Sequence, residues 1–290
     1  KDDGIICKIS DEHFIATTTT GGAATVLGCM EEYAQTEWPN LNVYMNSITE
    51  QYATFNISGP KTRNIIEKVF PEVNFSNEAF PFMTFQFHEY EDTPIRILRA
   101  SFTGEMGYEI YVPSNQALKI WEKIISFGKE FGLMPYGTET MHLLRAEKGY
   151  IIVGQDTDGS ITPLDLGLDW MIGKSKKDFL GKRSLIRSDT VRKDRKQLVG
   201  ILPTNKNEKL EEGQHIILDK EIKTPTPMLG HITSCYQSPT LGHNFALAVI
   251  KNGQSLIGTK AFASSPELKT IEVEIVEPIF YDKENTKLAS

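Results

Sequence analysis

The sequence predicts an α+β protein in which antiparallel strands pack with helices, followed by a small all-β domain. Strand-like and helix-like segments alternate through the first part of the chain in the order strand, helix, strand, strand, helix. That order is typical of an antiparallel sheet covered by helices. From residue 196 onwards, Gly, Pro and Asn turns separate the short strand-like runs KQLVGILP, HIILDKE, GHITSCY, FALAVI and KTIEVEIVE, which is typical of a barrel.

The N-terminal elements follow from local composition and spacing. A hairpin-like pattern opens the chain and includes HFIATTTT at residues 13–20, where β-branched and aromatic residues favour a strand. Residues 23–38 predict a helix from their apolar spacing. Residues 52–70 predict a strand, a turn and a second helix. The apolar stripe of that second helix consists of Ile65, Ile66 and Val69.

Three strands and two helices are predicted next. The strands are FMTFQFHEY, IRILRASF and the strand ending in EIYVP. Ser114 is the expected N-cap of a helix that places Leu118, Trp121 and Ile125 on one face. Another helix, TETMHLLRAEKG, is expected to end at Gly149.

A charged segment separates the two predicted domains. Residues 181–196 hold four Arg and three Lys with few apolar positions. Because Asp residues are interleaved and the net charge of the chain is −7, the pattern favours a solvated linker over a binding patch. We therefore expect a first domain at residues 1–190 and an all-β barrel domain at residues 196–290.

Composition and motifs exclude several function classes. The acidic balance argues against a nucleic-acid or anionic membrane partner, and no apolar run is long enough to span a membrane. The three cysteines, Cys7, Cys29 and Cys235, are far apart in the sequence and lack the spacing of metal ligands. They are expected to be small core residues of a protein in the reducing cytoplasm. Dinucleotide, P-loop, zinc-protease and serine-hydrolase motifs are missing from the sequence. The chain opens at Lys1 directly in the hairpin-like pattern, which predicts a piece of a longer polypeptide.

A carboxylate in the strand near residue 109 is the first candidate for chemistry. The strand alternates between two sides, with Met106, Tyr108, Ile110 and Val112 on one and Glu105, Gly107, Glu109 and Tyr111 on the other. A partly buried carboxylate is costly unless it accepts hydrogen bonds. The donor is either an Arg of the fold or a ligand with paired N–H groups, and the residues alone leave both open.

Two further features are ambiguous on residue chemistry alone. Asp2 and Asp3, beside Gly4, are surface turn acids or a pair of reactive carboxylates. Trp170, at the end of PLDLGLDW, is a core residue or an aromatic platform. From the residues alone, the chain is a soluble two-part α+β protein with a carboxylate-lined pocket.

Three segments resemble motifs of the folate-dependent aminomethyltransferase family, which includes the T-protein of glycine cleavage. They are TGEMGYEIYVP, LRAEKGY with the following GQDTDGSITPLDLGLDW, and GHITSCYQSPTLGHNFALAVI. Each is weak alone, but their shared order and spacing make the resemblance strong over essentially the whole chain. Within the family, the sequence is most similar to the C-terminal domain of sarcosine oxidase α subunits. The resemblance implies a folate-binding aminomethyltransferase fold with a C-terminal β-barrel, its N-terminal part lying outside this chain.

The resemblance assigns roles to the carboxylates. Glu109 matches the family's pterin anchor, whose two oxygens accept from adjacent N–H donors of the pteridine. Asp3, in preference to Asp2, matches the acid beside the pterin N5 nitrogen. That position implies a catalytic role in steering N5 and managing a proton.

Other family positions match less closely. Trp170 matches an aromatic position near the folate pocket. Phe102 replaces a stacking Tyr before T-G-E, and Thr19 replaces an Asn after the early strand. The family's folate-contacting Arg before the R-x-E-x-G helix falls on Met141, which leaves the binding of the folate tail carboxylate open.

The implied function is one-carbon transfer with tetrahydrofolate as the cofactor. A sarcosine oxidase-type enzyme would pass the iminium or formaldehyde carbon from an N-methyl amine to this domain, yielding 5,10-methylenetetrahydrofolate. Flavin and NAD are expected outside this chain, in an N-terminal dinucleotide-binding region of the same polypeptide and in other sarcosine oxidase subunits. Two alternatives remain: a stand-alone glycine cleavage aminomethyltransferase or related methyltransferase, and a non-catalytic folate-binding domain.

Overall fold

The computed structural model describes residues 2–222, 225–265, 267 and 269–290, so Lys1, where the chain opens, lies outside the described part. The chain divides into two compact units, which are Lys1–Met141 with Glu284–Ser290, and His142–Lys283. The domain limits expected from composition, residues 1–190 and 196–290, stay a prediction.

The first unit contains a two-stranded hairpin and a four-stranded antiparallel sheet. The hairpin pairs β1 (Ile6–Lys8) with β2 (Phe14–Ala16) and precedes the helix α1 (Ala23–Thr36). The sheet has the order β3-β6-β5-β4. Its strands are β3 (Tyr52–Ser58), β4 (Phe85–Tyr90), β5 (Thr93–Leu98) and β6 (Gly107–Pro113).

One face of this sheet packs against two helices, α2 (Thr62–Val69) and α3 (Ala117–Gly128). The stripe expected on α2 is confirmed, since Ile65, Ile66 and Val69 are buried. This face therefore belongs to the main apolar core of the unit.

The apolar face expected on α3, with Leu118, Trp121 and Ile125, is not the face that the helix buries. The helix buries Ile120 and Ile124, whereas Leu118 is 69% exposed. Both sets have helical spacing, and only packing against the sheet selects one of them. The expected cap is also wrong, because Ser114 lies in a short 3₁₀ turn and its hydroxyl donates to the Glu50 carbonyl at 2.9 Å.

The opposite face of the sheet is partly covered by the hairpin. Cys7 of β1 is buried against Leu98 and Ala100, and Ile15, Phe85 and Tyr111 pack around them. Side chains on this face that extend beyond the hairpin remain available to a ligand.

The second unit is built on a closed six-stranded barrel, which confirms the predicted all-β fold of the C-terminal segment. The helix α4 (Thr138–Glu147) leads into this unit. The barrel strands are β7 (Lys196–Pro203), β8 (His215–Ile217), β9 (Gly230–Ser238), β10 (His243–Lys251), β11 (Lys260–Ser264) and β12 (Thr270–Val276). The short helix α5 (Thr286–Ala289) belongs to the first unit.

Candidate ligand-binding site

Strand β6 places Glu109 on the sheet face that is opposite the apolar core. Its neighbours Tyr108 and Ile110 point into the core and are fully buried, whereas Glu109 is half-buried. Glu109 pairs with Asn56 on β3 and with Leu98 on β5. The alternation expected from the sequence is therefore confirmed, and it presents the carboxylate on a partly covered surface.

Tyr111 lies on the same face, two residues along β6, and its hydroxyl donates a hydrogen bond to Oε2 of Glu109. Among the described residues, no side chain or backbone donor holds Oε1. A carboxylate accepts through both oxygens, so Glu109 keeps acceptor capacity for a ligand with N–H donors.

The negative charge of Glu109 affects three nearby groups. Burial raises the pKa of Tyr111, and the adjacent Glu109 charge raises it further. Burial and then the Glu109 charge raise the pKa of the Cys7 thiol. Burial raises the pKa of the Tyr136 hydroxyl, a hydrogen bond with Ser58 partly opposes this, and the Glu109 charge raises the pKa further. These three groups therefore stay protonated at neutral pH, and none of them supplies a positive counter-charge.

Two more polar side chains extend the face along β3. The Ser58 hydroxyl donates to Oδ1 of Asn56 at 2.6 Å, and the Tyr136 hydroxyl donates to the same oxygen at 3.2 Å.

The backbone at the beginning of β6 leaves no room for a side chain, because a Cβ on Gly107 would lie 2.7 Å from the Ala100 carbonyl oxygen. Glycine in the T-G-E-x-G motif thus permits the close approach of backbone that aligns Glu109.

The two acidic residues at the start of the chain, Asp2 and Asp3, have different surroundings. Oδ1 of Asp2 accepts from the Thr19 backbone at 3.1 Å, and Oδ2 accepts from the Thr19 hydroxyl at 3.0 Å. Burial tends to raise the pKa of Asp2, but these hydrogen bonds and one from the Asp3 backbone lower it below its ordinary value. Asp2 is therefore a structural carboxylate that links the start of the chain to Thr19.

Asp3 is exposed, and no partner for its carboxylate occurs among the described residues. Gly4 fixes the adjacent backbone, since a Cβ there would lie 1.9 Å from the Thr17 carbonyl oxygen. Thr19 also caps the following 3₁₀ turn by accepting from the Gly22 N–H at 3.2 Å. The Thr19 hydroxyl is thus already engaged twice within the fold.

The aromatic candidates lie in different surroundings. Phe102 is half-buried in the loop between β5 and β6, close in sequence to Glu109. Trp170 belongs to the second unit, in the 3₁₀ turn Asp169–Met171, and its side chain is 74% exposed. Trp170 is therefore not the core residue that its residue type alone would favour.

Several motif residues that prompted the family resemblance meet in a buried polar network in the second unit. The Arg145 guanidinium donates to Asp156 and, at 2.8 Å, to the Ser234 hydroxyl. Asp156 also accepts from Thr233 and Ser234, each at 2.6 Å, and from the Ile152 backbone at 2.8 Å. These motif residues hold α4, the following loop and β9 together, so their role in this unit is structural.

A second ion pair stabilises the segment before the barrel. The Arg195 guanidinium contacts both oxygens of Asp165, with Nε–Oδ1 at 2.8 Å and Nη2–Oδ2 at 2.6 Å. Burial raises the pKa of Asp165, but the hydrogen bonds from Arg195 and Thr162 outweigh it and the pKa is lowered. Asp165 in PLDLGLDW is consequently a structural carboxylate.

Within the described ranges, no group of three His, Cys, Asp or Glu side chains could hold a metal ion. No helix in the same part of the chain combines the length and apolar character needed to cross a membrane. Sequence analysis placed Tyr111 on the Glu109 face by the two-residue strand period but assigned it no role. It missed Asn56 and Tyr136, whose positions beside Glu109 depend on strand pairing and on the fold.

The fold and the site define an α+β protein with a carboxylate on an accessible sheet face and a separate six-stranded barrel. A family model described as the GCVT N-terminal domain matches residues 1–176. A second model, described as the glycine cleavage T-protein C-terminal barrel domain, matches residues 196–282. The chain belongs to the glycine cleavage T-protein family.

Individual relatives cover nearly the whole chain. The sarcosine oxidase subunit alpha of Corynebacterium sp. (strain P-1) is 46% identical over 289 residues, which is 99% of this chain and 30% of that protein. An aminomethyltransferase of Thermoanaerobacter pseudethanolicus is 29% identical over 99% of this chain and 74% of that protein. This chain therefore spans about a third of the first relative.

A solved structure shares the fold. The glycine cleavage system aminomethyltransferase T from Bartonella henselae aligns with a TM-score of 0.80 at 21% identity. The alignment covers 97% of this chain and 72% of that one. The aminomethyltransferase fold with its C-terminal barrel is thereby confirmed.

Proposed function

We propose that this chain is a tetrahydrofolate-binding one-carbon transfer domain of a sarcosine oxidase-type enzyme. It would convert the iminium or formaldehyde carbon from N-methyl amine oxidation to 5,10-methylenetetrahydrofolate. Flavin and NAD would bind in other parts of a cytoplasmic enzyme, either in an N-terminal dinucleotide-binding region or in partner subunits. The 46% identity to a sarcosine oxidase subunit alpha favours this over a stand-alone aminomethyltransferase.

The observation that carries the proposal is the state of the Glu109 carboxylate. It lies on the face opposite the core, with Oε2 bound by Tyr111 and Oε1 without a partner in the described part of the chain. The side chains whose pKa values its charge affects are a phenol, a thiol and a second phenol, so none is cationic. A pteridine with adjacent N–H and amino donors fits this acceptor.

The chain's own residues supply binding, orientation and proton transfer. Tetrahydrofolate supplies the N5 and N10 nitrogens that take up a one-carbon unit. Glu109 would fix the pterin ring by charge-assisted hydrogen bonds, and the aromatic ring of Phe102 would lie along it. Thr19 keeps one acceptor position for the ligand beyond its two internal bonds.

Asp3 is the proposed acid–base residue. Asp2 is engaged with Thr19 through both carboxylate oxygens, whereas the Asp3 carboxylate is exposed and lacks a partner among the described residues. A carboxylate beside N5 would receive and return the proton that is released during carbon transfer. Positioning would supply the remaining rate enhancement, because a labile carbon held beside its acceptor reacts at high effective concentration.

Isothermal calorimetry with tetrahydrofolate tests the proposed function. The 290-residue chain is expected to bind one equivalent, and absence of binding would reject both transferase hypotheses for it. An assay of the complete enzyme separates the two transferases: transfer from an oxidised N-methyl amine supports the oxidase proposal. Transfer from an aminomethyl-lipoyl carrier alone supports the stand-alone enzyme.

The Asp3→Asn variant is expected to keep tetrahydrofolate affinity within about twofold but to lose folate-dependent carbon capture by about 100-fold, the range of general acid–base catalysis. The complete enzyme, oxidising an N-methyl amine, should then release formaldehyde in place of 5,10-methylenetetrahydrofolate. Asp11→Asn, an exposed Asp in the hairpin turn, is the matched control. An unchanged methylenetetrahydrofolate yield in Asp3→Asn removes Asp3 from the mechanism.

A further inference from the structure

An arginine on the Glu109 face of the sheet has no acceptor for its charge among the residues that the structure describes. Arg96 is half-buried on β5, where it pairs with Tyr111 on β6 and with Phe87 on β4. Its guanidinium carbon lies 4.1 Å from the ring centroid of Tyr52 and 5.6 Å from that of Phe87. Stacking on two aromatic rings holds the planar cation in a defined place.

Among the described residues, no carboxylate, carbonyl or hydroxyl oxygen accepts from the Arg96 guanidinium. Two acidic side chains share the sheet face without forming an ion pair with it, namely Glu89 on β4 and Glu109 on β6. The five guanidinium N–H donors form a fork that suits a carboxylate. The cation is therefore oriented, and no acidic side chain in the described ranges neutralises it.

Strand geometry gives the separation between this cation and the pterin anchor. Glu109 is opposite Asn56 on β3, and Tyr52 is four residues before Asn56 on the same strand. At roughly 3.3 Å per residue, Tyr52 lies about 13 Å along the strand from the level of Glu109. Because the Arg96 guanidinium stacks on Tyr52, it is displaced from Glu109 in that direction. The exposed Thr54 lies between the two levels.

We propose that Arg96 binds a carboxylate at the tail of the ligand whose pterin end Glu109 holds. This inference rests on the proposed function and names a second recognition point of the same site. Tetrahydrofolate has this polarity, with hydrogen-bond donors on its pterin and carboxylates at the opposite end, beyond an aromatic spacer. Arg96 then provides the cation that Met141 does not.

Two ligands and three variants test the proposal. Arg96→Met keeps an unbranched stem on Tyr52 but removes the charge and the donors. It is expected to weaken tetrahydrofolate binding about tenfold, the worth of hydrogen bonds to a charged group. Binding of 6-methyltetrahydropterin, which lacks the tail, should stay unchanged. Arg96→Lys should recover part of the loss, and Lys129→Met, an exposed cation on the helical side, should change neither affinity.

The binding measurements separate a failure of the Arg96 inference from a failure of the proposed function. If Arg96→Met weakens both ligands equally, or neither, Arg96 does not recognise the tail and the inference fails while the proposed function stands. If the unmodified chain binds neither ligand, the proposed function fails and the inference fails with it. Circular dichroism of each variant verifies that the sheet is retained.

Discussion

The Glu109→Gln variant is expected to bind tetrahydrofolate about 100-fold more weakly than the unmodified chain, a loss of about 2.7 kcal/mol. Glutamine keeps the length of the side chain but replaces one acceptor oxygen by an NH₂ donor and removes the charge. Tyr111 already donates to one oxygen of Glu109, so in the variant either Tyr111 or the ligand faces the NH₂ group. A conflict between two donors, together with the loss of charge assistance, produces the large effect.

Calorimetry with tetrahydrofolate measures this loss directly. Glu67→Gln, the same chemical change at an exposed position of α2, is the matched control and should bind as the unmodified chain does. Equal affinity in Glu109→Gln and in the control would exclude Glu109 as the anchor. The same ligand then has to be held elsewhere on the sheet face.

The Asp156→Ala variant is expected to lose about 3–5 kcal/mol of unfolding free energy, the usual cost of removing one partner from a buried ion pair. Asp156 and Arg145 are 1% and 0% exposed. Without Asp156, a buried guanidinium has no counter-charge, and the Ile152 N–H, Thr233 and Ser234 lose an acceptor. The effect should be large because bonds from Arg145, Ile152, Thr233 and Ser234 all converge on this one carboxylate.

Urea unfolding followed by circular dichroism measures this effect, and a failure of the variant to fold is the same outcome in extreme form. Asp158→Ala is the matched control in the same loop, where the carboxylate is exposed and accepts locally from the Ser160 N–H at 2.7 Å. It should cost less than about 1 kcal/mol. If the two variants unfold at the same urea concentration, the network does not stabilise the unit.

Most of the elements could be predicted from local patterns. Alternation identified β6, and short strand-like runs identified β3 and five barrel strands. Strand β11 was missed, because the small residues of KAFAS carry little strand preference and pair only within the closed barrel. On α3, periodicity allowed two faces, and packing against the sheet selected the one with Ile120 and Ile124.

Prediction of the candidate site was less complete. Glu109 was singled out as a candidate because a carboxylate interrupts an otherwise apolar strand, and the family resemblance of the motif around it implied a pterin ligand. Arg96 gave no such signal, since an arginine in a strand is ordinary until its neighbours are known. Only the pairing of β3, β4, β5 and β6 places it over Tyr52 without an acceptor in the described part of the chain.

The sequence by itself determined the family, the α+β class, the C-terminal barrel and the face on which Glu109 lies. These properties depend on residue order and on a two-residue period, which are local. The tertiary structure alone decided that Tyr111 holds one oxygen of Glu109, that Asp2 is tied to Thr19, and that Arg145 and Asp156 are structural partners. Such contacts join residues from separate segments or depend on side-chain direction, and a linear pattern does not encode which polar groups meet when the chain folds.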